Sequence, residues 1–495
     1  MKYISTRNVD LTLTAAEAIA AGLSPDGGLL TPEKLPRLGM GKLDALRDMD
    51  YAGRAVEIMT LFLDGFSRQE LESYSADAYG GGKFDHPAVA PVVSLKEGIH
   101  VLELWHGPTC AFKDMALQML PRLLTASLKK TGESRTACIL AATSGDTGKA
   151  ALEGFRDVDG TNILVFYPEH GVSEMQKLQM VTQEGRNVGV CAVTGNFDDA
   201  QSGVKALFSD PEMKEELDRR GFFFSSANSI NWGRVLPQLV YYISAYCDLV
   251  ASGKVVPGEQ VNVCVPTGNF GNILAAYYAK EMGLPLRRLI CASNANCVLT
   301  DFLTTGVYDR RRPFHATLSP SMDILISSNL ERLLFSLTGQ DGVQVGEWMA
   351  ALNRDGWYEV NEKVREGLEG HFAAGFASDG EACACLGELF RQEGYLMDPH
   401  TAVAYKVLTD YRTRTGDATP TLLVSTASPF KFCPAVLSAL GEDGGGESGV
   451  LLERLSAASG CSIPRPLFGI SDKAIRFTGS VKKGDMASAV YQMLE

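Results

Sequence analysis

The stretch Ala137-Cys138-Ile139-Leu140-Ala141-Ala142, followed by Thr143-Ser144-Gly145-Asp146-Thr147-Gly148-Lys149 and then by Ala150 to Phe155, decides the fold class. Six small or apolar residues in a row suit a strand buried on both faces. The glycine-bearing turn interrupts it, and the run after the turn suits a helix. Strand, turn and helix in that order form the repeating element of a parallel α/β sheet.

Working outward, short apolar runs of the same kind recur at Ile163 to Tyr167, Val188 to Val193 and Gly221 to Ser225, and a second series comprises Val261 to Val265, Leu289 to Ala292 and Thr421 to Ser425. The polar gap at Ser252-Gly253-Lys254 separates the two series. Upstream, from Ala15 to about Gly81, apolar residues fall at helical spacing, with a turn at Leu23-Ser24-Pro25-Asp26-Gly27-Gly28. The reading is therefore an α/β chain with a mainly helical N-terminal segment, 1–95, a first α/β unit, 96–255, and a second, 256–495.

The chain has 495 residues, 45% of them hydrophobic and 21% charged, enough to bury a large core without disorder. Its 46 basic residues against 59 acidic ones give a net charge of -13, which repels a nucleic-acid backbone or an anionic bilayer. The triplet Arg310-Arg311-Arg312 is too small a cluster to alter that, so neither nucleic acid nor membrane is expected as a partner. Eleven scattered cysteines without Cys-x-x-Cys spacing, and an N-terminus without a signal-peptide pattern, lead us to expect a cytoplasmic protein with reduced thiols. The seven histidines never fall at ligand spacing, so no metal is expected.

Five segments carry chemistry-bearing residues. In His106-Gly107-Pro108-Thr109-Cys110-Ala111-Phe112-Lys113-Asp114 a lysine stands at a helix start, with Pro121 expected to end or kink that helix after about two turns. Taken alone, such a lysine is a solvated first-turn residue. Under apolar cover and at the positive helix end, its amine would be neutral and nucleophilic, able to form a Schiff base. The turn Thr143 to Lys149 lies where backbone amides cradle a carboxylate or phosphate, or it is an ordinary strand-to-helix connection. A Walker loop is excluded there, since Thr143 replaces the first glycine and Ala150 the magnesium-binding hydroxyl. Val265-Pro266-Thr267-Gly268-Asn269-Phe270-Gly271-Asn272 has two glycines that let the backbone approach a phosphate, but no Gly-x-Gly-x-x-Gly dinucleotide pattern. Ser225 to Arg234 combines short polar side chains with a guanidinium suited to a phosphate, or else caps a helix bearing a surface arginine. Ser425-Thr426-Ala427-Ser428-Pro429-Phe430-Lys431-Phe432 places hydroxyls at the carboxyl end of a strand, where ligands meet an open sheet. Two anion-type loops and a helix-start lysine together describe a phosphorylated aldehyde cofactor joined to an amine.

These blocks, together with Gly22 to Leu29 and Ser319-Pro320-Ser321-Met322-Asp323-Ile324, resemble the threonine synthases, pyridoxal phosphate enzymes whose fold is shared with tryptophan synthase β chains and cysteine synthases. The resemblance runs nearly end to end. It implies two open parallel-sheet α/β units facing each other across pyridoxal 5'-phosphate, with Lys113 joined to the cofactor and Phe112 beside its ring. It assigns the cofactor phosphate to Gly268, Asn269, Phe270, Gly271 and Asn272, and places Asp146 near the cofactor hydroxyl, where cysteine synthases have asparagine. Thr426, or less favourably Ser425, would meet the pyridine nitrogen. Thr143, Ser144, Thr147, Asn228, Ser229 and Arg234 would bind the substrate, O-phospho-L-homoserine, which water converts to L-threonine and phosphate. Ser428 and Trp105 depart from the pattern of several relatives, and neither holds a catalytic role in this reading. No protein partner is implied. A lyase releasing a keto acid, and a catalytically silent binder of a phosphorylated ligand, are the rival readings.

Overall fold

The computed structural model describes residues 1–143, 145–169 and 172–494. Two mainly parallel sheets organise it. The larger has six strands in the order Phe372–Phe376, Leu286–Ser293, Val261–Pro266, Thr421–Ser425, Ile99–Glu103 and Val92–Ser94, with only the last pair antiparallel. The smaller has five parallel strands in the order Ser480–Lys482, Val188–Thr194, Thr161–Pro168, Thr136–Ala142 and Phe222–Ser225. The central strands of both are buried apolar runs, as parallel strands covered on both faces must be.

The sheets are not assembled in chain order, and this differs from a division at residue 255. Ile99–Glu103, expected in the first unit, pairs residue by residue with Thr421–Ser425 in the larger sheet. The C-terminal strand Ser480–Lys482 returns to the edge of the smaller sheet. Helix Trp232–Ala251 is buried along nearly all of its length and packs on helix Gly271–Glu281, beside the larger sheet. It is buried on every side, Arg234 and Gln238 included, which suits a central helix rather than a surface one. Parallel pairing requires crossovers, so a neighbour in the sheet need not be a neighbour in sequence.

Helices Ala15–Ala21, Met40–Arg47, Tyr51–Met59 and Arg68–Tyr79 make the N-terminal segment mainly helical, and a three-stranded antiparallel sheet of Thr12–Leu13, Tyr3–Ser5 and Leu30–Pro32 accompanies them. Capping boxes at Thr14 with Glu17 and at Ser67 with Glu70 start two of these helices. The expectation for Pro121 is corrected. The helix after Lys113 is a single turn, Asp114–Leu117, and Pro121 lies in the first turn of a new helix, Leu120–Lys130. There its missing N–H lies among groups with no intrahelical acceptor in any case.

Candidate active site

The lysine segment is tied to the end of strand Thr421–Ser425. Phe112 N–H donates to Thr426 O at 2.8 Å, Ser428 N–H donates to Cys110 O at 3.0 Å, and Ala111 bridges Ala427. The preceding bend is held by Asp114, whose carboxylate accepts from Thr109 N–H at 2.8 Å and Thr109 Oγ1 at 2.7 Å. Burial pushes that carboxyl up to about 6, against these hydrogen bonds. Lys113 thus comes to rest beside Thr426 although more than 300 residues separate them.

Lys113 Nζ donates to Ser321 Oγ at 3.2 Å, lies 4.8 Å from the centre of the Phe112 ring, and stands 3.8 Å from Asp146 Oδ2. Burial lowers its ammonium to about 8, helped by the charges of Lys431 and Arg234 and opposed by Asp146. Of the two causes expected, the apolar cover acts, whereas a one-turn helix has little macrodipole to add. Desolvation and like charges do the lowering.

Asp146 is not free. Its Oδ1 lies 2.6 Å from Lys431 Nζ and accepts from Gln176 Nε2 at 2.9 Å. Burial alone would raise this carboxyl, but the ammonium groups of Lys431 and Lys113 hold it well below the usual carboxylate range. It is therefore an acceptor-only group beside the amine. Lys431 also donates to Thr109 O at 3.0 Å, so it fastens the lysine segment and Asp146 to one point. Lys431→Met should leave Asp146 without its closest counter-ion, destabilising the fold by about 3 kcal/mol. It should also raise the Lys113 titration midpoint above about 8 by removing a like charge. Urea unfolding and an NMR titration of the Lys113 amine in cofactor-free protein read the two effects, and unchanged values for both would contradict this account.

The glycine loop leaves strand Val261–Pro266 and enters helix Gly271–Glu281 through Phe270, which has a left-handed backbone with φ 62°. A side chain at Gly268 would stand 2.5 Å from Ser321 O, so only glycine lets the 319–329 segment close over the loop. Ser327 Oγ donates to Gly268 O at 2.8 Å and Asn329 N–H to Asn269 O at 3.1 Å. Asn272 Oδ1 accepts from the hydroxyls of Tyr241 and Tyr242, leaving its buried Nδ2 without a partner. That orphaned donor, and first-turn amides that lack intrahelical acceptors, suit a phosphate.

A second buried donor without a partner lies beside it. Arg234 is 4% exposed and donates through Nη1 to Ala227 O at 2.8 Å, while its buried Nε has no partner. Among the described residues no carboxylate pairs with it, and burial pushes the guanidinium down to about 10. Ser229 Oγ is 3.4 Å from Ser328 Oγ, which is 3.4 Å from Asn269 Oδ1, so the Arg234 loop and the glycine loop adjoin. Asn228 is exposed, and Thr147 is half-buried. Thr143 uses its hydroxyl inside its own turn, accepting from Gly145 and Gly148 N–H at 3.0 and 2.9 Å. Ser144 lies outside the described residues.

At the far side of the lysine, Ser425 Oγ accepts from Trp105 Nε1 at 3.1 Å and from Thr401 Oγ1 at 3.1 Å. The Thr426 hydroxyl has no hydrogen bond among the described residues, so of the two it is the one at liberty to meet a ligand. Sequence reasoning missed Lys431, Gln176 and Ser321 as members of the site. Lys431 gave a signal, a lysine set between Phe430 and Phe432 in an apolar run, whereas Gln176 gave none. Ser321 is positioned from behind, its N–H donating to His400 Nε2 at 3.1 Å, which leaves His400 Nδ1–H for Asp398 Oδ2 at 2.6 Å.

Below Trp105, His106 lies between two carboxylates, Nδ1 at 2.6 Å from Asp85 Oδ1 and Nε2 at 2.8 Å from Glu103 Oε2. Burial disfavours its charge, but the two carboxylates outweigh this and raise it to about 9. A folded-state value above the unfolded one gives stability that is complete below about pH 6.5 and lost as pH rises through about 9. The stability difference between the natural protein and His106→Gln should therefore shrink by about 3 kcal/mol between pH 6.5 and pH 10. Urea midpoints across that range check it, and a difference that grows with pH would contradict it.

The fold and this site define an open α/β enzyme with a depressed, buried amine and two adjoining loops that hold unpaired buried donors, all following the carboxyl ends of strands. The comparisons narrow that class. Residues 2–79 match the threonine synthase N terminus family, residues 86–352 the pyridoxal-phosphate dependent enzyme family, and residues 401–462 the threonine synthase C-terminal family. The chain is 41% identical over 437 residues to a threonine synthase of Pseudomonas aeruginosa, covering 88% of this chain and 90% of that one. It is 42% identical over 457 residues to human threonine synthase-like 1, covering 88% of this chain but 60% of that protein. The chain thus spans about three fifths of the length of its mammalian threonine synthase-like relatives. Among solved structures, the pyridoxal phosphate-bound threonine synthase of Brucella melitensis superposes with a TM-score of 0.89 at 37% identity over 100% of both chains, and the yeast threonine synthase with 0.88 at 33% over 99% and 97%. The chain belongs to the threonine synthase family of pyridoxal-phosphate dependent enzymes.

Proposed function

We propose that this protein converts O-phospho-L-homoserine and water to L-threonine and phosphate, with Lys113 holding pyridoxal 5'-phosphate. The observation that carries this reading is the presence of two adjoining anion sites where a cofactor phosphate needs only one. Asn272 and the amides of the glycine loop suit the cofactor phosphate, and the unpaired, buried Arg234 is left for a phosphate on the substrate. Phe112, Asp146 and Thr426 would line the cofactor ring, and Thr147, Asn228 and Ser229 would border the substrate, with Thr143 shaping the turn that carries Thr147. The cofactor, when bound, supplies a sink for the charge that develops on the substrate's carbon atoms.

The chain's own residues do the rest. Lys113, its ammonium lowered to about 8, takes and returns protons at Cα and Cβ of the substrate. Ser321 orients that amine by hydrogen bonding, and Asp146, kept ionised by Lys431, stays an acceptor throughout. Arg234 holds the phosphate as it leaves Cγ, and water adds at Cβ. The Thr426 hydroxyl, a neutral partner for the pyridine nitrogen, leaves the ring less electron-withdrawing than a carboxylate would.

Eleven cysteines without a disulfide among them support a reducing, cytoplasmic setting. Among the described residues no helix is long and apolar enough to cross a membrane. The test is incubation of the cofactor-loaded protein with O-phospho-L-homoserine, measuring threonine, 2-oxobutanoate and phosphate together. Threonine and phosphate in equal amounts are expected. Release of 2-oxobutanoate instead would make the protein a lyase, and absence of phosphate release a silent relative.

A further inference from the structure

Outside the active site, a cavity of about 450 Å³ opens where the N-terminal segment, the smaller sheet's helices and the C-terminal region meet. Six basic side chains, Lys83, Arg122, Lys149, Arg156, Arg465 and Lys473, line it against two carboxylates, Glu153 and Glu184. For a chain of net charge -13 that is a marked local reversal of sign. Glu153 is already engaged by Lys149 at 3.4 Å and Arg156 at 3.1 Å, and Arg122 stands 3.8 Å from Asp77 outside the wall, which leaves Lys83, Arg465 and Lys473 facing a single remaining carboxylate, Glu184. The wall also holds buried polar atoms with no partner. Gln118, 2% exposed, has an unsatisfied Nε2, and Gln179, 1% exposed, an unsatisfied Oε1, while Arg122 Nε, 3.8 Å from Asp77 Oδ2, makes no hydrogen bond either. Unsatisfied buried amides are costly, so a fold keeps them where something else completes their hydrogen bonds. Two of the three orphans are donors and one is an acceptor. The complementary ligand therefore brings anionic oxygens to Gln118 and Arg122 and one N–H or O–H to Gln179.

We infer that this cavity is a binding site for a small organic anion bearing two anionic groups and one hydrogen-bond donor. Phosphorylated hydroxy acids and amino dicarboxylates share that chemistry. The site is separate from the lysine pocket but mechanically close to it. Gln179 donates from Nε2 to Thr109 O at 3.4 Å, the same carbonyl that accepts from Lys431, and Lys149 lies on the helix Asp146–Phe155 that begins with Asp146.

The experiment is calorimetric titration of the cofactor-loaded protein with 3-phosphoglycerate and, separately, L-aspartate, at fixed ionic strength set by potassium chloride. One or both probes should bind with a single site per chain, and which one binds distinguishes the phosphate from the dicarboxylate source. Lys83→Glu and Lys473→Glu, both on the cavity wall and away from Lys113, should each weaken binding at least about tenfold while leaving basal turnover unchanged. Gln118→Leu, which keeps the volume but removes the buried donor, should weaken it too. Binding of neither probe above the chloride background would overturn the inference. So would binding that the charge reversals leave unaltered, because the anion would then be occupying the catalytic phosphate site.

Discussion

Lys113→Ala is expected to lower phosphate release from O-phospho-L-homoserine by at least about 10³-fold while the folded protein still takes up cofactor without a covalent bond. Among the described residues Lys113 is the one lysine whose amine has the Phe112 ring, Ser321 and an ionised carboxylate around it at once. Two other buried lysines are accounted for. Lys149 pairs with Glu153 and Gln183, and Lys431 with Asp146 and Thr109 O. Borohydride reduction of the cofactor-loaded protein followed by peptide mapping should place the label on Lys113. Label on Lys149 or Lys431, or substantial turnover by the alanine variant, would reject the assignment.

The second large effect belongs to Arg234. Arg234→Ala should keep cofactor binding and its absorbance, yet lose roughly 2 to 4 kcal/mol of transition-state stabilisation, about 30- to 900-fold in kcat/KM. Arg234→Met, which retains the aliphatic stem, should keep or raise Tm. The guanidinium is buried without a carboxylate, so removing it leaves no counter-charge behind and relieves a desolvation cost. A residue that merely held the fold together would behave in the opposite way, with Tm falling and kcat/KM little changed. Equal loss of cofactor affinity and of activity would mean that Arg234 serves the cofactor phosphate, a result the contact between its loop and Asn269 through Ser328 makes worth measuring.

Much of this architecture is legible in the linear chain, because it depends on local chemistry. The apolar runs at 137–142, 261–265 and 421–425 become strands, and glycines at 145, 148, 268 and 271 mark where the backbone turns into a helix. Those features require only neighbouring residues: a short apolar run, a turn, and a helix start whose amides have no acceptors of their own. The ordered blocks that resemble the threonine synthases are of the same kind.

Tertiary structure alone decided what lies across from what. No spacing in the sequence tells that Ile99–Glu103 pairs with Thr421–Ser425, or that the C-terminal strand Ser480–Lys482 returns to a sheet whose other strands lie before residue 226, since a parallel ladder is chosen by its partner's register and cover. The electrostatics of the site follow from that choice. Asp146 reads as a cofactor contact in sequence, but its ionisation is set by Lys431, 285 positions away, and the amine of Lys113 is oriented by Ser321, 208 positions away. Charge–charge energies depend on separation in space and on burial, and neither quantity exists until the chain has folded.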